Sequence, residues 1–172
     1  ESGQIQRQMF EAIDEIGGEG VTELDLAGAA DRVSRSAGFG SFVRMRKWPM
    51  DCDRVVVASG RAGGVPTFFD SAVGGTGAHP LAALGAGFNR IKAGDPVLVD
   101  IVHVHRGYVA DMTRMFSVGP LSNEWVARLE DMNEIAMAIR YSLGRGENCS
   151  TAWGIGAAKA EEMGHGDHLM GM

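Results

Sequence analysis

Cysteine is scarce in this chain: Cys52 and Cys149 are the only two. Two thiols cannot build a disulfide scaffold, and they fit a reducing, cytoplasmic setting. Basic residues are also in short supply, with 16 Lys and Arg against 22 Asp and Glu and a formal net charge of −6. A nucleic-acid binder needs a basic face to displace phosphate counterions, so that class is excluded. Long apolar runs are missing too. None approaches the ~18–20 residues needed to cross a bilayer, and no charged segment leads into a hydrophobic one as in a secretory signal. The reading is no nucleic acid and no membrane. Several catalytic signatures are absent as well. There is no GxxxxGKS/T or strand–GxGxxG–helix phosphate loop and no GxSxG elbow, and neither cysteine has a histidine in a supporting context.

What is present reads as a globular protein: 172 residues, 45% hydrophobic and 22% charged, the size of one ordinary domain. Glycine is the exception. There are 25 glycines, about twice the usual share of roughly 7%. The chain begins at Glu1 and ends at Gly171-Met172 in a segment with no terminating character, which suggests a piece of a longer protein.

Periodicity predicts four helices. Ile5, Met9, Ile13 and Ile16 form one apolar stripe closed by Gly17-Gly18. Thr22-Glu23-Leu24-Asp25 is an acidic capping box opening a second helix, with Leu24, Ala27, Ala30, Val33 and Ala37 on its stripe and Gly38 past its end. Ser122 caps the longest helix, whose stripe of Trp125, Leu129, Met132, Ala136, Ile139 and Leu143 is expected to fill the core. Ser150 or Thr151 caps a fourth helix, through Glu162 and closed by Gly164. Phe42 to Met45 and Val55 to Ala58 read as strands. Residues 59–87 are glycine-rich and read as a long loop or as short strands with tight turns.

The densest information lies between Ile91 and Gly119. Val97 to Val102 and Tyr108 to Val118 are two strands joined across Arg106-Gly107, a β-hairpin. Asp100 and Asp111 sit within otherwise apolar strands, and parity decides whether they meet. A two-residue loop at Arg106-Gly107 pairs His105 with Tyr108, Asp100 with Thr113 and Val102 with Asp111. Both carboxylates then point to one face, one diagonal step apart. Like charges so close need something positive between them: a pair of divalent metal ions, an arginine such as Arg114, or one shared proton. His103 and His105 fall on the opposite face and read as surface or interface histidines. His165-Gly166-Asp167-His168 reads as loop, and His79, in the glycine-rich stretch, is a candidate substrate contact.

These residues resemble a known family. Gly94-Asp95-Pro96-Val97-Leu98-Val99-Asp100, followed by Gly107-Tyr108-Val109-Ala110-Asp111-Met112-Thr113-Arg114, is similar to the metal-binding hairpin of the pita-bread metallopeptidases. That group includes methionine aminopeptidase, Xaa-Pro aminopeptidase, prolidase and creatinase. Paired N-terminal helices, a VxxSG strand at Val56 to Gly60 and a helix after the hairpin extend the likeness over essentially the whole chain. It looks closest to the Xaa-Pro and creatinase branch.

The resemblance implies an α+β pita-bread fold, an antiparallel sheet flanked by helices, with residues 1–172 forming the N-terminal portion of one catalytic domain and so apparently truncated. It implies a Xaa-Pro-type aminopeptidase or dipeptidase that activates water between two divalent ions, which would be Mn, Co, Zn or Fe. Asp100 would chelate one ion, Asp111 would bridge both, and Thr113 would orient a carboxylate. A peptide or small amide substrate, a cytoplasmic location and a homodimer are also implied. The alternatives are a creatinase-like hydrolase or a binding module without catalysis. Three departures stand out. Val102 replaces a usual glycine and should slightly reshape the hairpin, and Val65-Pro66-Thr67-Phe68 lacks the histidine that many members place there. The family's remaining ligands, one His and two Glu, are unmatched, so the chain is expected to stop before them and to be inactive alone.

Overall fold

The computed structural model describes residues 1–39, 43–44, 51–52, 54–67, 74–81 and 83–169. They fall into two units, Glu1–Pro120 and Leu121–Met172. Among the described residues no helix is long and apolar enough to cross a membrane.

In the first unit, α1 (Ser2–Ile16) buries Met9, Phe10, Ala12 and Ile13. The stripe expected from spacing is the one used, except that Ile16, in the last turn, is exposed. α2 (Glu23–Ser36) opens on the expected capping box: Thr22 Oγ1 accepts the Asp25 N–H, and the Asp25 carboxylate accepts the Thr22 N–H. Gly38 (φ +90°) follows the cap residue Ala37, as expected of the residue past a helix end. The buried stripe of α2 is Glu23, Leu26, Ala27, Ala30 and Ser34, rotated slightly from the expected one, with Leu24 and Val33 packing at its margin.

Two short strands, β1 (Val43–Arg44) and β2 (Asp51–Cys52), pair antiparallel. The rest of the strand expected over Phe42 to Met45 lies outside the described residues. The main sheet has three antiparallel strands in the order β3 (Val55–Ser59), β4 (Val97–His105), β5 (Tyr108–Phe116). The β4–β5 hairpin turns through Arg106 (φ +50°) and Gly107 (φ +86°), both left-handed as the tightest hairpin connection requires. Its register is the one parity demands: His105 opposite Tyr108, Val102 opposite Asp111, Asp100 opposite Thr113. Val97, Val99 and Ile101 of β4 and Val55 and Val57 of β3 pack with Met9, Ile13, Leu26 and Ala30 in one core.

His103 shares that face. It is fully buried rather than on the surface, because the face opposite the two aspartates is the one that α1 and α2 cover. Its Nδ1 lies 3.0 Å from Ser34 Oγ, its ring tilts against Phe39, and among the described residues its Nε2 has no partner. His105 is only partly covered and reaches Glu1 at 3.2 Å.

A second polar group in this interior is Glu23, fully buried at the first residue of α2. Its Oε1 accepts the Ser59 N–H (2.7 Å), the Ser59 hydroxyl (2.8 Å) and the Asn89 amide (3.1 Å), and its Oε2 accepts the Gly87 N–H (3.0 Å). The helix, the end of β3 and the glycine-rich stretch are thereby joined. Among its described residues that stretch is loop with tight turns and, beyond Ser59, contains no strand. Gly60–Gly64 is a short 3₁₀ turn, and Gly75 (φ +119°) bridges Gly85 so closely that a side chain at 75 would collide with the Gly85 backbone.

The second unit is a helix pair. Ser122 caps α3 (Asn123–Gly144) as expected. α4 (Cys149–Glu162) is capped by Asn148, not by Ser150 or Thr151, since the Asn148 Oδ1 takes the Thr151 N–H at 2.8 Å. The stripe expected to fill the core is not buried throughout: Trp125 and Met132 are each 38% exposed and Leu143 47%, while α3 buries Ile135 and Ser142. Lys159 meets Glu134 at 2.6 Å. The expected loop at 165–168 contains a 3₁₀ turn (Gly166–His168), and His165 is bonded to Asp131 at 2.8 Å.

Glu23→Ala leaves the buried Ser59 N–H, Ser59 hydroxyl and Gly87 N–H without their acceptor and should cost at least about 3 kcal/mol. Urea unfolding measures this, and a loss under about 1 kcal/mol would mean the network contributes little. Burial first, then the nearby His105 and Arg54 charges, hold the His103 pKa below the ordinary histidine value of 6.5. Below that pH the unfolded chain takes up a proton that the folded chain resists, so stability present at pH 7 should fall on acidification toward pH 5. His103→Gln should flatten that slope. Parallel losses in the two proteins would exonerate His103.

Candidate functional site

The face of the sheet away from the helices carries Leu98, Asp100, Val102 and Val104 from β4, and Val109, Asp111, Thr113 and Met115 from β5. Asp100 is half-buried and Asp111 exposed, so the carboxylates belong to the open face and not to the core. Val56 of β3 flanks Asp100 on its other side.

Alternation places Asp100 and Asp111 diagonally, on neighbouring strands and one face. Thr113, directly opposite Asp100, donates its hydroxyl to Asp100 Oδ1 at 2.6 Å. That bond pins one carboxylate oxygen and, among the described residues, leaves the other without a partner. Desolvation first, and the negative charge of Asp100 second, hold the Asp111 carboxyl above the usual range, against the lowering effect of the Met112 N–H. The pair therefore repels itself, and a cation on this face would relieve it.

Arg114 is not that cation. It stands opposite Val99, on the other parity, and its guanidinium donates to the Thr113 carbonyl. Nor do His103 and His105 contribute, since both face the helices. His79 is exposed, and its Nδ1 accepts the Leu81 N–H; none of its bonds reaches the aspartates. Among the described residues no third His, Cys, Asp or Glu joins the pair to make a metal-binding cluster. The pairing runs unbroken from Val97 to His105, so Val102 does not reshape the hairpin.

Spacing alone could not reveal Glu23 as a buried hub. An acidic residue in the first turn of a helix ordinarily serves only the helix dipole, and nothing in its neighbours distinguishes the two roles.

No curated protein sequence matches the chain. Among solved structures, a prolidase from Pyrococcus furiosus aligns with a TM-score of 0.74 at 19% identity, over 99% of this chain and 43% of that one. An X-Pro aminopeptidase from Thermotoga maritima MSB8 aligns at 0.70 and 19% identity, over 96% and 40%. A Xaa-Pro dipeptidase from Bacillus anthracis gives 0.62 and 22%, again over 96% and 40%. The chain spans about two-fifths of the length of these structures. Such identities speak for the fold, and the fold is part of the pita-bread arrangement, an antiparallel sheet flanked by helices. The sequence also matches the profile of metallopeptidase family M24 over residues 1–170. The chain belongs to that family.

Proposed function

We propose that the open face of the β4–β5 hairpin is part of a peptide-hydrolysing centre of the Xaa-Pro type, and that this chain is the N-terminal portion of its catalytic domain. One observation carries the reading: Asp100 and Asp111 share a face, repel each other, and have Thr113 fixing an oxygen of the first. The donor set is all oxygen, which suits hard or borderline divalent ions such as Mn, Co, Fe or Zn. Asp100 and Asp111 would hold them, with Asp111 shared. Such ions supply Lewis-acid polarisation of a carbonyl and a lowered pKa for water.

The chain's own residues do three things toward that chemistry. Asp111 brings negative charge to the centre of the face. Thr113 holds Asp100 in one rotamer, because its hydroxyl proton is committed to Oδ1. The flanking Val56, Val102 and Leu98 limit water around the half-buried Asp100 and strengthen its pull on a cation. The family's one His and two Glu are assigned to sequence outside this chain, so two carboxylates alone should bind metal weakly. Creatinase-like amide hydrolysis is the competing reading. It rests on Val65-Pro66-Thr67, where many family members carry a substrate-contacting histidine.

Calorimetric titration of the 172-residue chain with Mn²⁺ should show weak binding and no peptide hydrolysis; tight binding of two ions per chain would overturn the shared-ligand reading. In a longer protein containing this segment, Asp111→Asn should abolish dipeptide and creatine hydrolysis alike while leaving the circular dichroism spectrum unchanged. Thr113→Val there should weaken metal affinity by about 10- to 100-fold. Turnover retained in Asp111→Asn removes the assignment.

A further inference from the structure

A cleft of about 480 Å³ opens at the C-terminal end of β3, lined by Ser59, Arg61, Thr76, Asn89, Lys92 and Asp95. Its floor is held firmly. Ser59 is 1% exposed, and both its N–H and its hydroxyl donate to Glu23. The Asn89 amide nitrogen is bound to Glu23 and to Ser59 Oγ, and the Gly60 N–H donates to the Pro96 carbonyl. The rim is the reverse. Among the described residues the side chains of Arg61 and Lys92 make no hydrogen bond or ion pair, and the Asp95 carboxylate, packed against Gly60, pairs with neither.

Charges of both signs thus line one cleft without neutralising each other. A simple anion would suit Arg61 and Lys92 but would be repelled by Asp95. A simple cation would meet the opposite imbalance. A ligand bringing one charge of each sign satisfies all three groups. The volume lies in the range of small-ligand sites, about 300–1,000 Å³. We propose that this cleft binds a small zwitterion of the α-amino acid type. Its carboxylate lies on Arg61 and Lys92 and its ammonium on Asp95, with Thr76 and Asn89 offering further polar contacts.

The site is separate from the aspartate pair. Ser59 pairs with Val97 and faces α2, whereas Asp100 stands opposite Val56 on the other face. Three residues along the strand is roughly 10 Å. No metal and no hydrolysis enter the proposal, so its failure and that of the peptidase reading are distinguishable.

The test is a titration of the full chain with glycine, acetate and methylammonium in separate arms, read from the backbone amide NMR shifts of Ala62 and Asp95. Glycine should give saturable shifts, with acetate and methylammonium each at least about tenfold weaker. Arg61→Gln, Lys92→Gln and Asp95→Asn should each weaken glycine by about tenfold, the effect of one charge-assisted contact. Arg61 and Lys92 are exposed, so their variants keep the test valid should Asp95→Asn disturb the turn before β4. Non-saturable glycine shifts overturn the proposal. So does acetate binding as tightly as glycine, which would leave a plain anion site.

Discussion

Glu23 stands at the start of α2 with its carboxylate in a place that water does not reach. Such a group is tolerated only where donors replace its hydration, and here four donors from Ser59, Gly87 and Asn89 do so. The cost of its burial is offset by three connections made at once, between a helix, the end of a strand and the glycine-rich stretch. Gln6 acts similarly from α1, where its amide donates to the carbonyls of Ile101 and Ala110 and so grips both strands of the hairpin. Hydrophobic contact gives this unit its cohesion, but it is non-directional. These polar anchors set where the sheet sits beneath the helices, and hence the attitude of the face it turns away from them.

That outward face is unusual in composition. Leu98, Val102, Val104 and Met115 surround the carboxylates with apolar surface. A solvated sheet face would carry polar side chains there. Low polarity near two like charges intensifies their mutual repulsion and their affinity for a cation, so the apolar surroundings and the acids work together. Thr113 is the small exception that fits: one hydroxyl, committed to one oxygen.

Much of this arrangement was legible from the order of residues. Parity in a two-residue hairpin is arithmetic, and the pairing of Asp100 with Thr113 needed no knowledge of the rest of the chain. The capping box at Thr22 and the cap at Ser122 are equally local. What parity could not say is which face would be the interior. Val97, Val99 and Ile101 on one side and Leu98, Val102 and Val104 on the other are matched in hydrophobicity, and only the docking of α1 and α2 breaks the tie. For that reason His103 lies inside and not on the surface: a histidine on an apolar strand becomes a core residue once Ser34 is supplied from a distant helix. The stripe of α3 differs from its expectation for another reason. Periodicity reports that a face can be buried, not that this chain buries it.

The turn at Arg106-Gly107 has an evolutionary corollary. Adding one residue there, with pairing otherwise retained, would carry Asp111 to the helix side and bring Ala110 or Met112 in its place. Nothing in overall composition or core volume would register the change. Length variation in this loop should therefore be confined among functional descendants to steps of two, or to insertions compensated by a bulge nearby. A connection exposed to solvent, of the kind that ordinarily drifts freely in length, is here constrained by the alternation of the strands that it joins.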